Sequence, residues 1–276
     1  MVKEGLTSAL TANPSKEISM YDKLASIYDY FVNWENRLAY ELPFLEQELR
    51  KLGADPSQIQ VMDTACGTGH HAIALANLGF QVSGSDLFPE MVSVADANAR
   101  AAGMQVTFRT AGFGGISDTF RQPGEFDAVL CLGNSLPHVS CVADLDKALI
   151  DFKDLLRPGG LLLLQMRNFD LVMGEKKRWM EPQTVREGTT EWLFLRFYDF
   201  EADGRIQFNI LSLHRKANAP WQTQLTSTHL YPIFSDQLSQ ELVALGFNNI
   251  RLYGNLGAEP YAAGSSGDLV LLANKI

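Results

Sequence analysis

Apolar and polar positions change period several times along the 276 residues, and each change marks an element. From Glu17, the residues Met20, Leu24, Ile27, Tyr28 and Phe31 recur at three- and four-residue spacing, which predicts a helix. A second helix is expected over 36–52, with Leu38, Leu42, Phe44, Leu45 and Leu49 on one face and Gly53 as its stop. A short apolar run over 59–63 then ends in Asp63 and enters the glycine-rich turn Gly67-Thr68-Gly69. Helical pattern over 70–78 alternates with a strand over 81–85 leading to Asp86, a helix over 89–102 and a strand over 105–109. A flexible loop is expected over 111–115. The run 126–132 is nearly all apolar, as suits a strand buried on both faces. A helix over 143–156, a turn at Arg157-Pro158-Gly159-Gly160 and a strand over 161–166 complete five strand–helix units.

Strands alternating with helices predict a parallel, doubly wound sheet. After residue 174 the helical period disappears. Strand-like runs over 184–200, 206–213 and 222–231 follow one another with only Ala202-Asp203-Gly204 as a hairpin turn between the first two. Without helical crossovers they must pair antiparallel. A helix over 235–245, with Ser235 as N-cap and Gly246 as C-cap, and strands over 250–253 and 269–273 close the chain. The fold class expected is therefore α/β. It is a Rossmann-like, mostly parallel seven-stranded sheet with N-terminal helices and an inserted antiparallel β-layer. The organisation is a polar tail over 1–16, a helical lid over 17–56, a core of 57–173 with 233–276, and a β cover over 174–232. Tyr21, Tyr28, Tyr30 and Trp34 are dense in the lid; they either pack it onto the sheet or close over a ligand.

In such sheets ligands bind beyond the carboxyl ends of the strands. Gly67 to Gly69, Asp86, Gly112 with Phe113, Asn134 and Arg167 all fall at those ends. Gly67-Thr68-Gly69-His70-His71-Ala72 fits the dinucleotide pattern G-x-G-x-x-A, so an NAD(P)-dependent oxidoreductase is one reading. Two helices before the first strand, and an acid ending that strand, argue against it. Asp86 follows Gly69 by 17 residues, where a carboxylate accepts both hydroxyls of a ribose; a helix N-cap is the other reading.

Composition narrows the partners. A net charge of −9 disfavours nucleic acid and anionic membranes. No apolar run has the length of a membrane span and the start lacks a signal-peptide core, so the expectation is a cytoplasmic protein. Cys66, Cys131 and Cys141 are too few and scattered for a disulfide framework or metal site, and read as buried free thiols. No metal is expected. A second copy of the chain is left open as a partner.

Val61-Met62-Asp63-Thr64-Ala65-Cys66-Gly67-Thr68-Gly69 resembles the first motif of class I S-adenosylmethionine-dependent methyltransferases, with Ala65 in place of the first glycine. Asp86 is similar to that family's ribose acid, Gly112-Phe113 to its adenine-edge loop with glycine in place of an acid, and Leu155 to Gly160 to its turn before the fifth strand. The resemblance implies S-adenosylmethionine as cofactor, held by Tyr28, Arg37, Asp63, Ala65, Cys66, Gly67, Gly69, Asp86, Leu87, Met91, Gly112, Phe113 and Leu132. Gly133-Asn134-Ser135-Leu136-Pro137-His138 and Arg167-Asn168-Phe169-Asp170 are similar to stretches of the glycine and sarcosine N-methyltransferases. That narrower resemblance implies a small-molecule acceptor, a glycine-like amine, bound by Tyr21, Asn134, His138 and Arg167, with the arginine holding a carboxylate. His138 would be the base if the nucleophile were an oxygen. O-methylation of a small hydroxylated or carboxylated metabolite, and ligand binding without turnover, stay open as alternatives.

Overall fold

A computed structural model describes residues 32–120 and 124–276. The first expected helix, with Tyr21, Tyr28 and Tyr30, lies outside the described residues. The second is α1, Trp34–Arg50. Its buried stripe of Phe44, Leu45 and Leu49 lies against the sheet, and Pro43 is accommodated inside it.

The main sheet has seven strands: β1 Gln60–Asp63, β2 Gln81–Asp86, β3 Thr107–Thr110, β4 Phe126–Cys131, β5 Leu156–Arg167, and two C-terminal strands. Helices α2 His70–Asn77, α3 Pro89–Ala101 and α5 Val142–Leu155 cross between them, with a short α4, Ile116–Phe120, before β4. A second helix pair follows β5: α6, Phe169–Glu175, and α7, Ser235–Ala244. Between those two lies a separate antiparallel sheet of β6 Gln183–Glu187, β7 Thr190–Phe200, β8 Ile206–Lys216 and β9 Gln222–Leu230. The C-terminal strands are β10 Phe247–Tyr253 and β11 Asp268–Lys275. The sheet order is β10-β11-β5-β4-β1-β2-β3. β1 to β5 pair parallel, and β11 runs antiparallel to both β5 and β10. Chain order reverses between β1 and β4, and the loops after those two strands bound the crevice where such sheets take ligands.

Burial on both faces explains the apolar strands. Leu161, Leu162, Leu163 and Leu164 are all at most 2% exposed. At about 1.5–3 kcal/mol per buried leucine side chain, this one run anchors the centre of the sheet.

Several elements differ from expectation. The Arg157-Pro158-Gly159-Gly160 turn is a bulge inside β5: Phe126 faces Leu156, but Ala128 already faces Leu161. Gly159, at φ +76, makes that excursion without strain. The expected strand over 184–200 is two strands, β6 and β7, folded at Gly188, where φ is +54. Ser235 opens its helix as the first helical residue and Phe234 is the N-cap; the Ser235 N–H is satisfied from outside, by Asp170 Oδ2 at 3.0 Å. Helices α4 and α6 are too short to show a helical period. Cys66 and Cys131 are buried free thiols, but Cys141 is exposed at the start of α5. Among the described residues no helix is long and apolar enough to cross a membrane.

Candidate functional site

The carboxyl ends of β1, β2, β3, β4 and β5 open into one cavity of about 1170 Å³, roofed by the antiparallel sheet. That is above the usual size of about 300–1,000 Å³ for a single small-ligand pocket. Thr64, Ala65, Gly67, Asp86, Leu87, Met91, Gly112 and Phe113 line one end, together with Arg37. Asn134, His138, Gln165, Arg167 and Asp268 line the other.

The two motif glycines serve different ends. Gly67 sits at φ +54, and a Cβ there would meet nothing within 4 Å, so its bare backbone faces the cavity. At Gly69, with φ +85, a Cβ would stand 2.9 Å from the Cβ of Ala95 and 3.0 Å from Phe108. Gly69 is therefore a packing glycine between α2, α3 and β3, and it does not line the cavity. Neither does Cys66: its N–H bonds Ser85 O at 2.9 Å, its thiol faces the core, and burial raises that thiol well above the ordinary range. Leu132 is also a core residue at 3% exposure. These three expected cofactor contacts thus have their side-chain positions committed to packing.

Asp63 lies just beneath the cavity floor, 2% exposed. Its Oδ1 has no hydrogen-bond partner among the described residues. Burial pushes its pKa up to about 7, against the Ala65 N–H bond, which lowers it; the Asp86 charge adds to the rise and Arg37 opposes it. Arg37 is held in turn by Glu41, whose two oxygens each accept its Nε–H at 3.1 Å. Glu41 also takes the ring Nε2 of buried His71 at 2.6 Å. Burial alone would raise Glu41, but the His71 hydrogen bond and the Arg37 charge bring it below the ordinary carboxylate range. Burial pushes His71 down, which favours a neutral ring donating Nε2–H to an ionised Glu41. Trp34 stacks on His70 with centroids 4.4 Å apart.

Asp86 accepts the Gly67 N–H on Oδ2 at 2.9 Å and the Phe88 N–H on Oδ1 at 3.0 Å. Each oxygen keeps a further lone pair, so both roles considered for this acid, turn former and diol acceptor, are compatible. Burial raises its pKa, against those same N–H bonds. A Cβ on Gly112 would stand 2.8 Å from Leu87 Cδ1, so the glycine lets Leu87 close over the loop. Phe113 is set edge-on to Phe152 at 5.5 Å. Behind them, buried Asp151 of α5 accepts the N–H groups of Gly114, Ile116 and Ser117 at 2.8–2.9 Å. This one side chain caps α4 and fixes the Gly112–Phe113 loop.

At the other end, Asn134 takes a left-handed backbone (φ 66), and its Oδ1 accepts the Arg167 N–H at 2.9 Å. The side-chain carbonyl expected to hold an amine is thus already engaged in bracing β5. Gln165 accepts the Gly133 N–H at 2.7 Å and donates to Asp268 Oδ2 at 3.0 Å. Arg167 bonds Asp268 Oδ1 at 2.9 Å while still lining the cavity. Asn168 and Asp170 face away from the ligand space. Asn168 is fully buried, caps α6 and donates to Ala263 O and Ser266 O, and Tyr261 donates to both it and Asp170.

Among the cavity residues that the sequence reading did not mark are Gln165, Asp268, Arg196 and Tyr198. Gln165 carried a signal, since it is the polar residue within the apolar run 161–166 and a buried amide needs partners. Arg196 and Tyr198 sit in a strand whose register over the site no local pattern specifies.

S-adenosylmethionine fits the first end. Asp63 offers an unsatisfied buried acceptor for an ammonium, Gly67 an open backbone, and Asp86 remaining acceptor capacity for a ribose, with Met91, Leu87 and Phe113 as apolar walls.

The family model described as a methyltransferase domain matches residues 61–160. A glycine/sarcosine N-methyltransferase of Aphanothece halophytica is 29% identical over 240 residues, 83% of this chain and 79% of that one. One of Halorhodospira halochloris is 33% identical over 152 residues, 55% of this chain and about half (54%) of the relative's length. The crystal structure of an S-adenosylmethionine-dependent methyltransferase from Clostridium acetobutylicum superposes with a TM-score of 0.72 at 16% identity, covering 92% of this chain and 98% of that one, a likeness of fold. Residues 61–160 thus match a methyltransferase domain, and the chain shares the fold of S-adenosylmethionine-dependent methyltransferases.

Proposed function

We propose that this protein methylates the amine of a small, carboxylate-bearing metabolite of the glycine-like class. The observation that carries this reading is the single cavity in which the cofactor end, at Gly67 and Asp86, runs into an acceptor end bearing Arg167. When bound, S-adenosylmethionine supplies an electrophilic methyl on a cationic sulfur, so that the amine lone pair forms the N–C bond as the C–S bond breaks and the sulfur keeps the electron pair. The chain's task is then alignment, worth several powers of ten in rate. Asp63 would hold the cofactor's ammonium, Arg37 its carboxylate, Asp86 its ribose and Phe113 its adenine, fixing the sulfur's position. Arg167, oriented through Asp268 and Asn134, would hold the acceptor's carboxylate. A neutral amine needs no strong base, which agrees with an acceptor end whose carboxylate, Asp268, is already bonded by Arg167 and Gln165. Relatives named for methylation of glycine and sarcosine support an amine, since one alignment extends across 83% of the chain.

The test is S-adenosylhomocysteine formation with amino acids and with phenolic or carboxylic acids as acceptors, for the wild type and Arg167→Ala. Amino acids are expected to be methylated on nitrogen, and the variant to raise acceptor KM at least tenfold with cofactor affinity unchanged. Methylation of oxygen acceptors alone, or an unchanged KM in the variant, contradicts the reading.

A further inference from the structure

Asp268 stands opposite Arg167 across β5 and β11, and Val270 stands opposite Gln165. Side chains two positions apart on a strand share a face, so Gln165, Arg167 and Asp268 point the same way, into the cavity. Gln165 is 8% exposed amid apolar neighbours, so its amide must find partners inside the protein. It finds them on two sides. Its Oε1 accepts the Gly133 N–H at 2.7 Å, and its Nε2 donates to Asp268 Oδ2 at 3.0 Å. Its main-chain carbonyl takes the next amide of that loop, the Asn134 N–H, at 3.2 Å. Asp268 Oδ1 in turn accepts from Arg167 Nη1 at 2.9 Å, and the Arg167 N–H goes to Asn134 Oδ1 at 2.9 Å. The hydrogen bonds therefore close on themselves: from the loop after β4 to Gln165, Asp268 and Arg167, and back to the loop.

From this ring we infer that Gln165 is a positioning residue for the acceptor: its amide fixes Asp268, and Asp268 fixes the guanidinium of Arg167 in the cavity. The inference rests on the reading of Arg167 as the partner of the acceptor's carboxylate. The polarity of the amide is what the ring requires. A main-chain N–H can only donate, so the side facing Gly133 must be an oxygen. A carboxylate can only accept, so the side facing Asp268 must be a donor. A neutral group with one donor and one acceptor satisfies both. A carboxylate in the same place would meet Asp268 oxygen to oxygen, and two such groups in contact do not both stay ionised. Once it takes a proton, it offers an O–H to Asp268 and a carbonyl oxygen to Gly133, which is the pattern of the glutamine. Gln165→Glu therefore converts a permanent brace into one that depends on pH.

Acceptor KM is measured between pH 5.5 and 8.5 for the wild type, Gln165→Glu, Gln165→Leu and the exchange of Gln165→Glu with Asp268→Asn. The acceptor is whichever of glycine, sarcosine and alanine the wild type methylates with the lowest KM. Arg167, Arg196, Tyr198, His138 and Arg37 also line this cavity, and the ratio of variant to wild type at each pH cancels their titration and that of the acceptor amine. Gln165→Glu is expected to raise acceptor KM at least tenfold at pH 8.5 and to return within threefold of the wild type as pH falls to 5.5. Gln165→Leu should raise KM at least tenfold at every pH. The exchange, with the donor now at position 268 and the acceptor at 165, should stay within threefold of the wild type throughout. Affinity for S-adenosylhomocysteine should stay within threefold in all variants. A ratio for Gln165→Glu that does not change with pH, or an exchange no better than Gln165→Glu alone at pH 8.5, overturns the inference and leaves the role of Arg167 standing. An equal loss of S-adenosylhomocysteine and acceptor affinity marks a merely structural role and overturns it too. An unchanged acceptor KM in Arg167→Ala, or no methylation of any of the three amino acids, overturns both the inference and the reading it rests on.

Discussion

Asp63 carries the most information per atom. It closes β1, lies 2% exposed, and has an oxygen without a partner among the described residues. An unsatisfied buried acceptor costs about 1–3 kcal/mol, more when charged, and such a cost persists where a ligand removes it. Burial raises the carboxyl's pKa to about 7. In the free protein Asp63 therefore holds its proton below pH 7, where the unfolded chain has lost it, so folding stability falls as pH rises from the ordinary carboxylate range through about 7. Ligand binding runs the other way. An ammonium at this site needs the carboxylate, so S-adenosylhomocysteine affinity should rise as pH increases through about 7 and level off above it. Titration calorimetry between pH 6 and 8.5 checks this, and Asp63→Asn should bind more weakly and show no such slope. At this scale the sequence was legible in placement: Gly67, Asp86, Phe113 and Arg167 were marked by position at a strand end, and all four line the cavity. It misled where a glycine has two uses. Gly69 reads the same as Gly67 in the motif, and only the 2.9 Å approach of Ala95 distinguishes packing from ligand access.

Among elements, the loop after β3 depends on a partner distant in sequence. Asp151 lies in the middle of α5, yet it binds three consecutive-region amides of the Gly114–Ser117 segment. Replacing it with alanine leaves those N–H groups unsatisfied, at a cost of about 2–4 kcal/mol in stability if water reaches only some of them. Asp151→Ala should therefore lower the thermal midpoint measurably and weaken S-adenosylhomocysteine through the freed Phe113, whereas a substitution at the exposed neighbour Ile150 should do neither. Helix α4 itself, five residues long, could not have been read from periodicity, because it is made by this cap rather than by its own pattern. The β5 bulge was hidden for a related reason. Pro158, Gly159 and Gly160 signal a turn locally, but β4 pairs with β5 both before the bulge, at Leu156, and after it, from Leu161, which keeps the strand continuous. The runs that form β7 and β8 were visible because they are rich in Phe, Trp, Thr and Leu, but the fold at Gly188 that separates β6 from β7 was not.

For the whole molecule, two layers meet over one space. The parallel sheet supplies loops at five strand ends, and the antiparallel sheet supplies a roof anchored by Phe169, Tyr198, Ile206 and Leu230. The first half of that arrangement follows from rules of chain topology and could be anticipated. The second depends on how β7 is laid across the cavity, a tertiary fact that brings Arg196 to the same cavity as Arg167. The central claim is that the end of the cavity bounded by Thr64, Gly67 and Asp86 receives an S-adenosyl ligand and not a dinucleotide. Calorimetric titration of the wild type with S-adenosylhomocysteine and, separately, with NAD measures this most directly. The account predicts saturable one-to-one binding of S-adenosylhomocysteine and no heat of binding with NAD; saturable binding of NAD with none of S-adenosylhomocysteine would contradict it.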